Sequence, residues 1–185
     1  MPMNHVELLA RHQRQRDLVT VRRDDIDDNG IQGYVLAMSD QLVALQHVYD
    51  FRLEGLMILR LADLTDVECS ATSRFQNDLL VREGLAQAVP FDKRFDLGSW
   101  PEAIGQLARE FSLLIIECEA LHEPAFAIGR VHGVSGEAVE LDYFNGVGQW
   151  EDERVEIEFA DISSCQVDTN YLNVYRRHFE RVALS

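Results

Sequence analysis

The chain opens with a helical pattern and then breaks into short apolar runs separated by Asp, Asn, Gly and Ser. From Asn4 to about Gln15, Asn4 stands at the N-cap and Glu7 three residues on, the reciprocal pair that satisfies free N–H groups in a first helical turn. Leu18-Val19-Thr20-Val21 is rich in β-branched residues and predicts a strand. Its turn is expected at Asp27-Asp28-Asn29-Gly30, because Asn-Gly readily supplies the positive φ angles of a tight hairpin. Ile31 to Met38 reads as a second strand, Ser39-Asp40 as a turn and Gln41 to Val48 as a third strand. Leu56 to Leu61 is a fourth, and Leu64 to Cys69 a short fifth, reached through Ala62-Asp63 with almost no loop.

The same series returns ninety-odd positions later. Ser99, Pro101 and Glu102 repeat a helix start, and Ile104, Leu107 and Phe111 give the apolar stripe that follows it. A strand over Leu113 to Cys118 comes next. Ile128-Gly129-Arg130-Val131 then stands where Gln32-Gly33-Tyr34-Val35 stood, and Ser135, Val139 and Leu141 answer Ser39, Val43 and Leu45. Phe159-Ala160-Asp161-Ile162 answers Leu61-Ala62-Asp63-Leu64 after a small insertion. Glycine inside a strand weakens pairing, so Gly33 and Gly129 mark structural bends where a five-stranded sheet curves onto itself.

Two further helices complete the pattern, Ser73 to Ala88 and Thr169 to Val182, the second with Tyr171, Val174, Tyr175, His178, Phe179 and Val182 at helical spacing. Val89-Pro90-Phe91-Asp92 and Asp96-Leu97-Gly98 read as a connector. The expected fold class is therefore mainly β with helices (α+β), a tandem duplication of a helix plus a five-stranded, strongly bent antiparallel small β-barrel. Residues 1–88 form the first unit with its trailing helix, 89–98 the connector, and 99–185 the second unit with a C-terminal helix.

This order of elements resembles the Sm and Sm-like family. Ile31-x-Gly33-x-Val35, then Asp40 and the pair Val43-x-Leu45, is similar to that family's first motif. Arg60-Leu61-Ala62-Asp63-Leu64 is similar to its second, in which an Arg-Gly step precedes a polar and an aliphatic residue. The resemblance covers both units in outline and implies a fold whose outer strands pair between subunits. RNA-binding members use a polar pair in the loop after the second strand and the Arg-Gly step. Here Leu61 replaces the glycine, and the second unit has Gly136 for the acid and Glu158-Phe159 for Arg-Gly.

Charge moves the expectation in the same direction. The formal net charge is −15, a repulsive field for any polyanion, so nucleic acid is disfavoured as a partner. Two local basic sets exist, Arg11, Arg14 and Arg16, and Arg176, Arg177 and Arg181, both on expected helices where a solvated face accounts for them. Cys69, Cys118 and Cys165 are widely spaced in apolar segments and read as reduced, mostly buried thiols. With neither a signal-peptide pattern nor a bilayer-length apolar run, the expected location is cytoplasmic, with no membrane partner.

Candidate chemistry is sparse. Asp25-x-Asp27-x-Asn29-Gly30 imitates the opening of a calcium loop, but Leu36 stands where a bidentate acid belongs, and a solvated acidic turn is the stronger reading. His122 and His132 lack any standard zinc spacing, and His5 and His12 lie a heptad apart on one helix. Motifs for covalent catalysis, phosphate cradling and dinucleotide binding are missing, so no catalytic residue and no cofactor are expected. If a small-molecule site exists it is expected in a cleft between the units, near His122, His132, Asp161 or Tyr171. The leading functional expectation is a non-enzymatic interaction or assembly protein that binds itself or a protein partner through barrel edges or helices. The alternatives are an RNA-binding Sm-like protein with a restricted basic face, and a ligand-binding protein or enzyme using the cleft.

Overall fold

The computed structural model describes residues 4–184. They form an α+β protein with four α-helices and ten strands, the strand pairs within each unit antiparallel, divided into two compact units, Met1–Leu97 and Gly98–Ser185. Among the described residues no helix is long and apolar enough to cross a membrane.

The first unit begins with α1 (His5–Gln15), whose Asn4 and Glu7 form the reciprocal cap expected from the sequence. The strands are β1 (Leu18–Arg23), β2 (Asp27–Met38), β3 (Leu42–Tyr49), β4 (Arg52–Arg60) and β5 (Asp66–Glu68), in the order β5-β1-β2-β3-β4. Alternation puts Val19, Val21, Val35, Val43, Leu45, Met57, Leu59 and Val67 on one face, where they pack with Leu9 of α1 and Leu64. Full burial of each such side chain stabilises by about 1.5–3 kcal/mol, so this set is the main source of the unit's cohesion. On the other side, α2 (Ala71–Arg82) supplies Asn77, whose Oδ1 accepts a 2.8 Å hydrogen bond from the Tyr34 hydroxyl. Burial pushes the Tyr34 hydroxyl up to about 12, so it stays a donor at physiological pH.

The second unit runs α3 (Trp100–Glu110), β6 (Leu114–Cys118), β7 (Ala125–Val134), β8 (Ala138–Phe144), β9 (Trp150–Glu158), β10 (Ser164–Val167) and α4 (Asn170–Ala183). Its strand order is β10-β6-β7-β8-β9. Gly129 pairs with Leu114 on one side and Tyr143 on the other, and the ladder with β8 shifts between Val131 and Gly133. In the first unit Gly33 pairs with Val19 and His47, and the ladder with β3 shifts between Val35 and Ala37. Both glycines lie where neighbouring backbone leaves no room for a side chain: an added Cβ would sit 2.6 Å from the Gln46 carbonyl oxygen at Gly33 and 2.0 Å from that of Asp142 at Gly129.

Several sequence expectations shift. The first hairpin does not turn at Asn29-Gly30: Arg23 pairs with Asp27, the turn is residues 24–26, and Asn29 and Gly30 lie inside β2. Asp27 holds that stretch locally, accepting from the Asn29 backbone N–H at 2.9 Å and from its amide at 2.8 Å. The fourth strand starts at Arg52 rather than Leu56, because Asp50 and Phe51 take φ of 47° and 60° and make a tight reversal without glycine. The helix expected from Ser73 to Ala88 starts at Ala71 behind a Ser70 cap, stops at Arg82, and gives way through Gly84 (φ 77°) to a 3-10 turn, Leu85–Ala88. Residues of the expected connector are not loose, since Val89 and Leu97 are buried and Phe91 meets Tyr34 edge-on at 5.6 Å.

Barrel closure is the largest difference. Within each unit the strand order is linear, with no pairing between β4 and β5 or between β9 and β10 among the described residues. The 3-10 turns Leu61–Asp63 and Phe159–Asp161 carry the chain across to β1 and β6 instead of reversing it alongside the preceding strand. Closing the ring by backbone hydrogen bonds would need a hairpin that this near-loopless step cannot provide.

His47 supplies a pH prediction. Its Nδ1 is buried with no hydrogen-bond partner, and burial pushes the ring's pKa down, against the opposing field of Glu54. The fold therefore holds the uncharged ring, while the unfolded chain titrates near about 6.5. Stability from this group is present above that value and falls as the pH is lowered. Urea midpoints at pH 7.5 and 5.5 should show acid destabilisation that His47→Phe reduces.

Candidate functional site

The hairpin from β8 to β9 is built by its own side chains. Asn145 Oδ1 accepts from the backbone N–H groups of Val147 and Gln149, both at 3.1 Å, and Gly148 takes φ 73°. Trp150 then starts β9 against α4, with ring centres 4.7 Å from Phe179 and 5.3 Å from Phe144, and the Arg130 guanidinium 4.8 Å above it. The Tyr175 hydroxyl donates to the Gly146 carbonyl at 2.9 Å, tying the loop to the same helix.

Farther along, Arg154 of β9 and Arg130 of β7 both reach Asp142 of β8, donating from Nε at 2.9 Å and 3.0 Å. These two guanidinium groups hold the Asp142 carboxyl below the usual carboxylate range. His132 lies 3.7 Å from both Glu140 and Asp142, so this face is a ladder of paired charges. The alternate face is apolar: Val139 and Leu141 of β8 are fully buried, but their cross-strand partners Ile157 and Val155 on β9 are only half-buried.

β9 hydrogen-bonds on one side only, to β8, and stands at the end of the strand order. Every other residue of the strand is exposed, including Glu151, Asp152, Glu153, Glu156 and Glu158. At its far end, the Phe159 N–H donates to the Glu137 carbonyl at 2.9 Å, and Ser135 Oγ caps the preceding turn through the N–H of Ala138 at 2.9 Å. A cavity of about 500 Å³ opens there, lined by Ser135, Glu137, Glu156, Glu158 and Phe159. The nine-residue strand thus joins an unpaired backbone edge, a partly uncovered apolar row and a set of carboxylates.

A second constellation lies in the first unit, and sequence reasoning missed it. A ring nitrogen of His12, a carboxylate oxygen of Asp17 and the Cys69 sulfur all lie within 4.8 Å of one another. His12 is buried, its Nδ1 is 2.8 Å from Asp17 Oδ2, and its Nε2 is 3.0 Å from Arg11 Nη2. A guanidinium only donates, so Nε2 accepts and the ring proton sits on Nδ1, directed at Asp17. Burial, with Asp17 adding to it, pushes the Cys69 thiol up, against Arg74 and Arg11. Nitrogen, oxygen and sulfur in this arrangement are a ligand set for a soft divalent cation. Arg11 and Arg74 line the same cavity, however, and both ring nitrogens are engaged, which describes a satisfied corner at the C-terminus of α1. The only signal available in sequence was a helix-end histidine and a cysteine more than fifty residues away.

The residues singled out from the sequence are scattered. Asp25 is exposed in the first turn, and Asn29 turns its amide donor toward Asp27, occupying an oxygen that a calcium ion would need. His122 is exposed in the loop before β7, His132 belongs to the charge ladder, and Asp161 is half-buried in its 3-10 turn. The Tyr171 hydroxyl lies 3.5 Å from that of Tyr175, and this pairing together with burial raises its pKa. His122, His132, Asp161 and Tyr171 do not line the cavity at the end of β9, nor one of about 350 Å³ between Phe111, Leu113, Asp168 and Leu172. Cys69 is half-buried, Cys118 and Cys165 are buried, and burial with the field of Glu117 pushes the Cys165 thiol up to about 12.

Compared with known proteins, the chain matches no family profile, no curated protein and no solved structure.

Proposed function

We propose that the chain is a non-enzymatic interaction protein of two tandem Sm-like units that binds another polypeptide by strand addition along β9. The tandem reading is supported by the matching strand orders and by the glycines, each followed by a ladder shift two residues on. The Sm-like reading is supported by the short helix before each sheet, the glycine in each second strand and the 3-10 step into each fifth strand. The observation that carries the function is that β9 is nine residues long, paired on one side and exposed or half-exposed throughout. An unpaired edge of that length can take up another strand; β9 contains no proline and is not shortened, and its carboxylates repel like-charged strands without closing the edge to others.

The RNA reading loses ground on geometry. The cavity between the turn after the second strand and the 3-10 step is where the family resemblance would seat a base, and here Glu137, Glu156 and Glu158 line it. In the first unit Arg60, the counterpart of the family's arginine, donates from Nε to both oxygens of Asp63 at 3.0 Å. The location consistent with three thiols and no disulfide among them is the cytoplasm. Strand addition is tested by amide exchange: N–H groups of β9 that exchange freely in the isolated protein should become protected when an extended peptide binds.

A further inference from the structure

Strand addition at β9 leaves open what kind of chain it accepts. We infer that the partner is a basic, extended segment of another protein, with apolar residues alternating with lysine or arginine, that lies along β9 and places a cation in the cavity beside Glu156 and Glu158. This rests on the strand-addition reading and adds the chemistry of the ligand.

Three observations support it. The strand carries five carboxylates and one arginine, and that arginine is already held by Asp142, so the edge presents uncompensated negative charge. Charge complementarity selects partners and speeds encounter more than it adds affinity, and the whole chain at −15 reinforces the local field. Val155 and Ile157 are half-buried while Val139 and Leu141 opposite them are fully buried, so apolar side chains from an added strand would finish covering that row. The cavity at the end of β9, about 500 Å³ with Glu137, Glu156 and Glu158 around it, is large enough for a lysine or arginine side chain.

The same charges argue against a second copy of this chain. β5, which pairs with β1 on one side, is only three residues long and contributes Asp66 and Glu68. Pairing β9 with β5 of another copy, or with its own copy, sets carboxylates against carboxylates, which destabilises a ladder where they stand directly opposite.

The test uses the full chain and four labelled twelve-residue peptides of the same length: alternating Lys-Val, alternating Ser-Val, alternating Glu-Val, and a lysine peptide interrupted by prolines. Binding is read by fluorescence anisotropy at low and moderate salt, with amide exchange locating the bound strand. The Lys-Val peptide should bind at least about tenfold more tightly than Ser-Val, weaken with salt and protect β9. The Glu-Val peptide should not bind. The Glu156→Gln/Glu158→Gln double variant, altered only at exposed positions, should keep its circular dichroism and lose about tenfold in Lys-Val affinity. Equal affinity for Lys-Val and Ser-Val with protection of β9 would remove the basic-partner inference while leaving strand addition standing. Equal binding of the proline-interrupted peptide would mean charge adsorption without strand pairing and would overturn the inference. Absence of β9 protection with every peptide would overturn both.

Discussion

Gly129→Val is expected to unfold the second unit while leaving the first folded. A Cβ at that position would stand 2.0 Å from the Asp142 carbonyl oxygen and 2.8 Å from the Tyr143 Cα, both backbone atoms of the paired strand, so relief requires breaking the β7–β8 ladder. Overpacking of this kind costs about 3 kcal/mol or more, a large share of the stability of a unit this size. Gly133 is the control: it lies on the same strand with nothing within 4 Å of an added Cβ, so Gly133→Ala should melt like the parent chain. Calorimetry reads both variants. A Gly129→Val chain whose melting matches the parent would show that β7 and β8 do not approach as described.

Phe144→Ala is the second large effect. Phe144 is 3% exposed at the end of β8, and its ring centre lies 4.8 Å from Tyr175, 5.0 Å from Phe179 and 5.3 Å from Trp150. Deleting that ring removes the shared neighbour of α4 and the start of β9 together, at a cost of about 3–5 kcal/mol. Trp150 fluorescence should shift toward that of a solvated indole before global unfolding, because Trp150 loses one of its two ring partners. A variant with unchanged emission and unchanged melting would mean that α4 is not anchored through this cluster.

Patterning made the elements legible, and chemistry that depends on nonlocal approach stayed hidden. The Asn4–Glu7 cap, the β-branched run of β1 and the apolar run of β3 could be read because each depends on residues near in sequence, and the in-strand glycines could be read because glycine inside an apolar strand is itself a local signal. The Asp50-Phe51 reversal could not, since aspartate tolerates positive φ but phenylalanine does not favour it, and at Phe51 the flanking ladder imposes it. Asn29-Gly30 misled for the complementary reason: the turn motif was present, but the pairing of Arg23 with Asp27 and Asp27's own hydrogen bonds moved the reversal upstream. Closure of the sheet was overestimated because a sequence shows that strands four and five adjoin without showing the direction in which the 3-10 turn sends the chain.

The candidate surface was half legible. The run Trp150 to Glu158 is visibly acidic, but its position at the end of the strand order follows only from which strands pair. The His12–Asp17–Cys69 corner was out of reach, because α1 and the residue after β5 meet only in the folded unit.

Residue-resolved amide exchange over Trp150–Glu158 in the isolated chain is the most direct measurement. A strand bonded along one side alone has alternate N–H groups facing solvent, so β9 should show every second amide exchanging quickly and the intervening ones slowed by β8. Uniform slow exchange along all of β9, matching that of the doubly flanked strand β8, would contradict the account, since the outer edge would then already be occupied in the free protein.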